Sequence, residues 1–135
     1  MASTTIRNRY LADTVQTVPP ARLVVMLYDG LVSDLRRAEA ALAEKDFYVV
    51  NERLVRAQAI LLELQGSLKP ELWSGGPSLL RLYVHMHKEL VQANITKDVR
   101  KVTACLRLVE PLADAWREAA VRVLSGQAPA LRAAG

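Results

Sequence analysis

Apolar residues recur at intervals of three and four along most of the 135-residue chain, the spacing that gathers side chains on one face of a helix. From Pro20 to about Lys45 the inward stripe is Val24, Leu27, Leu31, Leu35, Ala38 and Leu42. Pro20 suits a first turn, and the residue ahead of a proline is driven out of helical geometry. Asp46 stands where an N-cap opens a second helix, which carries Val50, Leu54, Ala57, Leu61, Leu64 and Leu68 and ends before Pro70. After a loop through Trp73 to Gly76, a third helix starts at Pro77 with Leu79, Tyr83, Met86, Leu90 and Ala93 turned inward. It gives way at Asn94-Ile95-Thr96, where Thr96 is the expected cap of a fourth helix. That helix carries Val102, Cys105, Val109, Leu112, Trp116, Ala120 and Val123, and Gly126 is its expected stop. Pro111 removes a backbone donor on the side away from this stripe, so a kink is expected near Glu110.

Four amphipathic helices with short links predict an all-α fold, an antiparallel four-helix bundle in one domain spanning residues 1–135. The bundle occupies residues 19–125. Residues 1–18 carry a sparse apolar stripe, Ile6, Tyr10, Leu11 and Val15, enough for a short helical arm or lid but not for a fifth core member. Residues 126–135 read as a flexible tail.

Some helices are apolar over more of their circumference than a four-helix core requires. Val25, Tyr28 and Val32 flank the first stripe, and Leu80, Val84, His87 and Val91 form a second line on the third helix. Tyr48, Val55 and Leu62 are a thinner version on the second. Aligned stripes of this kind either lie under the N-terminal arm or form an exposed patch able to take an amphipathic partner helix. Tyr10 suits a movable cover, since its ring offers contact area at low entropic cost while its hydroxyl faces water.

Composition narrows the function. The chain is 51% hydrophobic and 24% charged, with mean hydropathy +0.09, which excludes disorder and a membrane-embedded body. Its longest uncharged apolar run, Leu23 to Tyr28, falls far short of the ~20 residues a bilayer span needs. The first residues lack the apolar core of a signal peptide, and the single cysteine, Cys105, excludes an internal disulfide framework. These features place the protein in the cytoplasm. The net charge of +4 comes from basic residues scattered among acids such as Asp34, Glu39 and Glu110, a solvated mixed-charge surface rather than a nucleic-acid stripe. His85 and His87, two apart, point in different directions and cannot share a metal ion. No phosphate loop or nucleophile motif occurs, so no enzyme, metal, cofactor or small-molecule substrate is expected. A basic helical adaptor for another helical protein or for nucleic acid stays open as the alternative.

Beyond periodicity, the residues themselves carry a resemblance. Tyr10, then Val15-Gln16-Thr17-Val18-Pro19-Pro20, then Leu23-Val24-Val25-Met26-Leu27-Tyr28-Asp29-Gly30 resembles the N-terminal signature of the flagellar secretion chaperone family FliS. Lys45-Asp46-Phe47 with Asn51, Ala57-Gln58, Leu64 and Ser67-Leu68 resembles its second block. Tyr83, Met86, Leu90 and Ala93-Asn94-Ile95 with Asp98 resemble the third, and Trp116 the tryptophan near the end. Val18-Pro19 departs from the family's Ala-Ser, Arg7 stands where an apolar residue is usual, and Pro111 is unusual. The resemblance implies a cytoplasmic export chaperone whose client is the C-terminal helical segment of flagellin, kept from polymerising early and passed to the flagellar export gate. It carries Tyr10, Val15, Leu27, Tyr28 and Asn94 into the partner-binding set, beside Val25, Val32, Leu80, Val84, His87 and Val91 from the stripes. The same patch offers a face for a homodimer when no client is bound.

Overall fold

The computed structural model describes residues 20–72 and 74–126. Four long helices account for most of them: α1 (Pro20–Ala43), α2 (Phe47–Ser67), α3 (Gly76–Thr96) and α4 (Val99–Leu124). One 3-10 turn, Pro70–Leu72, lies between α2 and α3. A Cβ on Gly76 would stand 2.4 Å from the Pro70 Cα, so only glycine lets this turn close against the start of α3.

The α1–α2 and α3–α4 corners share one dipeptide. Lys45 and Lys97 take left-handed backbone (φ 57° and 55°), and the aspartate that follows each caps the next helix. Asp46 accepts from the Val49 N–H at 3.3 Å, and Asp98 accepts from the Arg100 N–H at 2.9 Å. The backbone N–H groups of Asp46 and Asp98 reach back to Ala41 and Ala93, satisfying carbonyls that the helix ends leave unpaired. The cap of α4 is therefore Asp98 and not Thr96. Thr96 is still helical, its hydroxyl donating to the Gln92 carbonyl at 2.8 Å, which withdraws it from capping. At the far end Gly126 (φ 83°) follows the last turn as expected, its N–H bonding the Val123 carbonyl. α4 runs through Pro111, which is exposed on the side away from the core.

Cross-helix contacts establish the packing. Asp29, Arg36 and Glu39 of α1 meet Arg117, Glu110 and Thr103 of α4, an order that runs backwards and makes the pair antiparallel. Asp34 with Arg53 and Gly30 with Ile60 do the same for α1 and α2. Asn51 with Asn94, and Phe47 with Lys97, join α2 to the C-terminal end of α3. Glu89 with Lys101 joins α3 to α4. Sequence neighbours are thus spatial neighbours, and α1 closes the ring against α4. The core holds Leu31, Leu35, Leu54, Leu61, Met86, Leu90, Val102 and Val109, all fully buried. Each such aliphatic side chain contributes roughly 1.5–3 kcal/mol by leaving water.

Candidate protein-binding surface

The segment Tyr28-Asp29-Gly30 works inside the bundle. Tyr28, expected beside the core stripe on an outer flank, is fully buried. Its hydroxyl lies 2.7 Å from that of Tyr83 on α3, and its ring stacks on Trp116 of α4 at 6.3 Å between centroids. The reason is angular: Tyr28 lies about 60° round the helix from Leu31, within the wide apolar arc that faces two neighbours at once. Burial pushes the Tyr28 phenol above its ordinary pKa, against the opposing effect of hydrogen bonds to Tyr83 and Trp116. Burial pushes Tyr83 up further still, with Tyr28 beside it adding to the effect. Asp29 accepts from Arg117 of α4 at 2.6 Å, and a Cβ on Gly30 would come within 3.3 Å of Ile60 of α2. Three consecutive residues therefore tie α1 to each of the other helices. Leu27, next to them, is half-buried and packs against the core.

The remaining flank residues separate onto opposite faces. Asn94 donates to Asn51 at 2.8 Å and so marks the side of α3 that faces α2. At about 100° per residue, Leu80, Val84, His87 and Val91 fall on that same side, outside the core stripe. Asn51 marks the matching side of α2, and Tyr48, Val55 and Leu62 fall there. The antiparallel register brings Val55 level with Val91 and Leu62 level with Val84. Val55, Leu62 and Val84 are 49%, 54% and 51% exposed, while Leu80, His87 and Val91 are half-buried. The result is a continuous apolar seam between α2 and α3. Ile95, exposed one turn beyond Val91, extends it and was not picked out from the stripe, although it continues the same line. The seam ends where the Lys97 ammonium donates to the Asn94 side-chain Oδ1 at 2.7 Å and sits 6.0 Å over the Phe47 ring. Asn94 is thus a latch between helices, with its side chain already engaged on both sides.

Val25 and Val32 are half-buried on the other face, where α1 meets α4. There a cleft of about 860 Å³ is lined by Val32 and Ala113 between walls of charge. Arg36 pairs with Glu110, and Arg117 pairs with Asp29 and Asp114. Ser33 and Arg37 complete the lining. Tyr10 and Val15, with the rest of the arm, lie outside the described residues, as do Trp73 and the tail from 127 onward.

Other polar groups are accounted for structurally. Asp34, expected on the solvated surface, is buried and accepts from Arg53 at 3.2 Å, with Arg56 at 3.8 Å. Its Oδ2 has no hydrogen-bond partner among the described residues. Its angular position, about 60° from Leu31 toward α2, places it inside the α1–α2 contact, a burial that spacing alone does not reveal. Cys105 is buried against the Met86 carbonyl. Burial, with Glu89 adding to it and Lys101 opposing, pushes its thiol up to about 11, as suits a structural thiol. Among the described residues no group of His, Cys, Asp and Glu could hold a metal ion, and no helix is long and apolar enough to cross a membrane.

Fold and surface together define a helical bundle that carries a part-exposed apolar seam between α2 and α3. The family model of the flagellar protein FliS matches residues 2–123. The chain is 34% identical over 117 residues to the flagellar secretion chaperone FliS of Bacillus subtilis (strain 168), covering 84% of this chain and 87% of that one. It is 32% identical over 111 residues to the flagellar secretion chaperone FliS of Escherichia coli (strain K12), covering 78% and 79%. The chain belongs to the FliS family of flagellar secretion chaperones, and as a member of that non-enzymatic family it is not an enzyme.

Proposed function

We propose that this chain is a cytoplasmic flagellar export chaperone that holds the C-terminal helical segment of flagellin, prevents its premature polymerisation and delivers it to the export apparatus. The observation that supports the reading is the α2–α3 seam, a part-exposed apolar strip about four helical turns long on a member of a chaperone family. An amphipathic helix laid along it buries an apolar stripe that must otherwise be kept from its own kind. The half-buried Val25 and Val32, on the opposite face, give a client long enough to wrap the bundle a second place to rest. Coupled folding of a disordered client loses ordering entropy but covers a long surface, which suits a complex that must later come apart.

The test is calorimetric titration with the C-terminal segment of flagellin from the same organism, at low and high salt. Saturable one-to-one binding with a negative heat-capacity change is expected. Val84→Asp, at an exposed position, should weaken it at least tenfold while helicity and unfolding midpoint hold. Absence of a complex at micromolar concentrations would refute the reading, and an unchanged affinity for Val84→Asp would remove the seam from the site.

A further inference from the structure

The seam has unlike rims. On α3 the outward side carries Arg81 and Lys88, which bracket Val84 at three before and four after. Both are exposed; among the described residues Arg81 bonds the Ser78 hydroxyl within its own helix and neither makes an ion pair. On α2 the charges beside the apolar line are Glu52 and Glu63. The two arginines of α2 both reach the buried Asp34 on the α1 side, and Arg53 also lies 3.9 Å from the Glu52 carboxylate. The α3 wall is therefore basic, while on the α2 wall Glu52 is already paired with Arg53.

An amphipathic helix has a left and a right flank beside its apolar stripe, and reversing its direction on a surface exchanges them. Against a basic rim on one side only, one direction brings an acidic flank of the helix to Arg81 and Lys88 and the other turns it away from them, which is the form electrostatic complementarity takes when it fixes register and orientation. We propose that the α2–α3 seam selects the direction of the segment it holds. Acidic side chains of the bound helix lie along Arg81 and Lys88 of α3. This inference rests on the reading of the seam as a client site and specifies its occupant as an apolar-striped helix with an acidic flank.

The experiment compares the full-length chain with R81E/K88E, R81K/K88R and R107E/R122E in titrations with the C-terminal segment of flagellin. The last variant makes the same change in net charge on exposed positions of α4. At low salt R81E/K88E should bind about tenfold more weakly, with R81K/K88R and R107E/R122E close to the parent, and the difference should shrink as salt rises. Replacing the acidic flank of the segment by lysines should restore affinity for R81E/K88E. Parent-like binding by R81E/K88E, or an equal loss in R107E/R122E, overturns the polarity rule while leaving the client site intact. Failure of the parent chain to bind at all overturns the client site and the rule with it.

Discussion

Replacing Tyr28 by Phe removes one hydroxyl from a buried pair, and its cost lies in what stays behind. Tyr28 and Tyr83 are buried, and their oxygens are 2.7 Å apart across the bundle. In Tyr28→Phe the Tyr83 hydroxyl loses that partner, and in Tyr83→Phe the Tyr28 hydroxyl loses it and keeps Trp116. A buried polar group left without its partner costs about 1–3 kcal/mol, whereas replacing both partners by apolar groups of the same shape is nearly neutral. Each single variant should lose about 1.5 kcal/mol in urea unfolding, and the double variant should lose less than the sum by about 1–2 kcal/mol. Losses that add within about 0.5 kcal/mol would refute the coupling. Alkali gives an independent reading. Both phenols have raised native pKa values, so each contributes stability that is complete below the unfolded value of about 10 and is lost as pH rises above it. The parent should lose up to about 2.7 kcal/mol per pH unit above pH 10 more steeply than the double Phe variant, since two groups are involved. Parallel pH–stability curves would show that the two phenols ionise as readily in the fold as outside it.

Two further predictions concern the α1–α2 contact. Asp34→Ala leaves the largely buried Arg53 guanidinium with Glu52, 3.9 Å away, and should cost about 3 kcal/mol, while Asp34→Leu with Arg53→Met should recover most of it; chemical denaturation of the three proteins decides, and equal losses would refute the pairing. Gly30→Ala gains about 1 kcal/mol of helix propensity but meets Ile60 Cδ1 at 3.3 Å, so the gain should appear in full only in an Ile60→Val background, read as a difference in unfolding midpoints.

The family signature shows how a motif can be legible without its role being so. Tyr28, Asp29 and Gly30 are recognisable as a string, and the string suggests a binding surface. In the fold each residue spends its side chain, or its lack of one, on a different neighbouring helix. A one-dimensional stripe cannot distinguish a residue at the edge of the core from one just beyond it, because the width of the buried arc depends on how closely two neighbours approach. Tyr28 and Asp34 fall on one side of that boundary and Val25 and Val32 astride it.

Local chemistry determined the helices, since the three-four spacing, Pro20, Asp46 and Gly126 act within a turn or two of themselves and need no partner to be read. The chain ends of α3 and α4 were less legible, because Thr96 and Asp98 both can cap and only the left-handed Lys97 between them decides which one does. Which flanks meet was decided by the tertiary structure alone. Antiparallel register brings Val55 to Val91 and Leu62 to Val84, joining two thin stripes into one seam, while the ring order sends Val25 and Val32 to the opposite face. Charge followed the same logic: the arginines of α2 are drawn inward to Asp34, and the basic rim of the seam is left to α3. Periodicity places a side chain on its helix, but only packing determines what stands across from it.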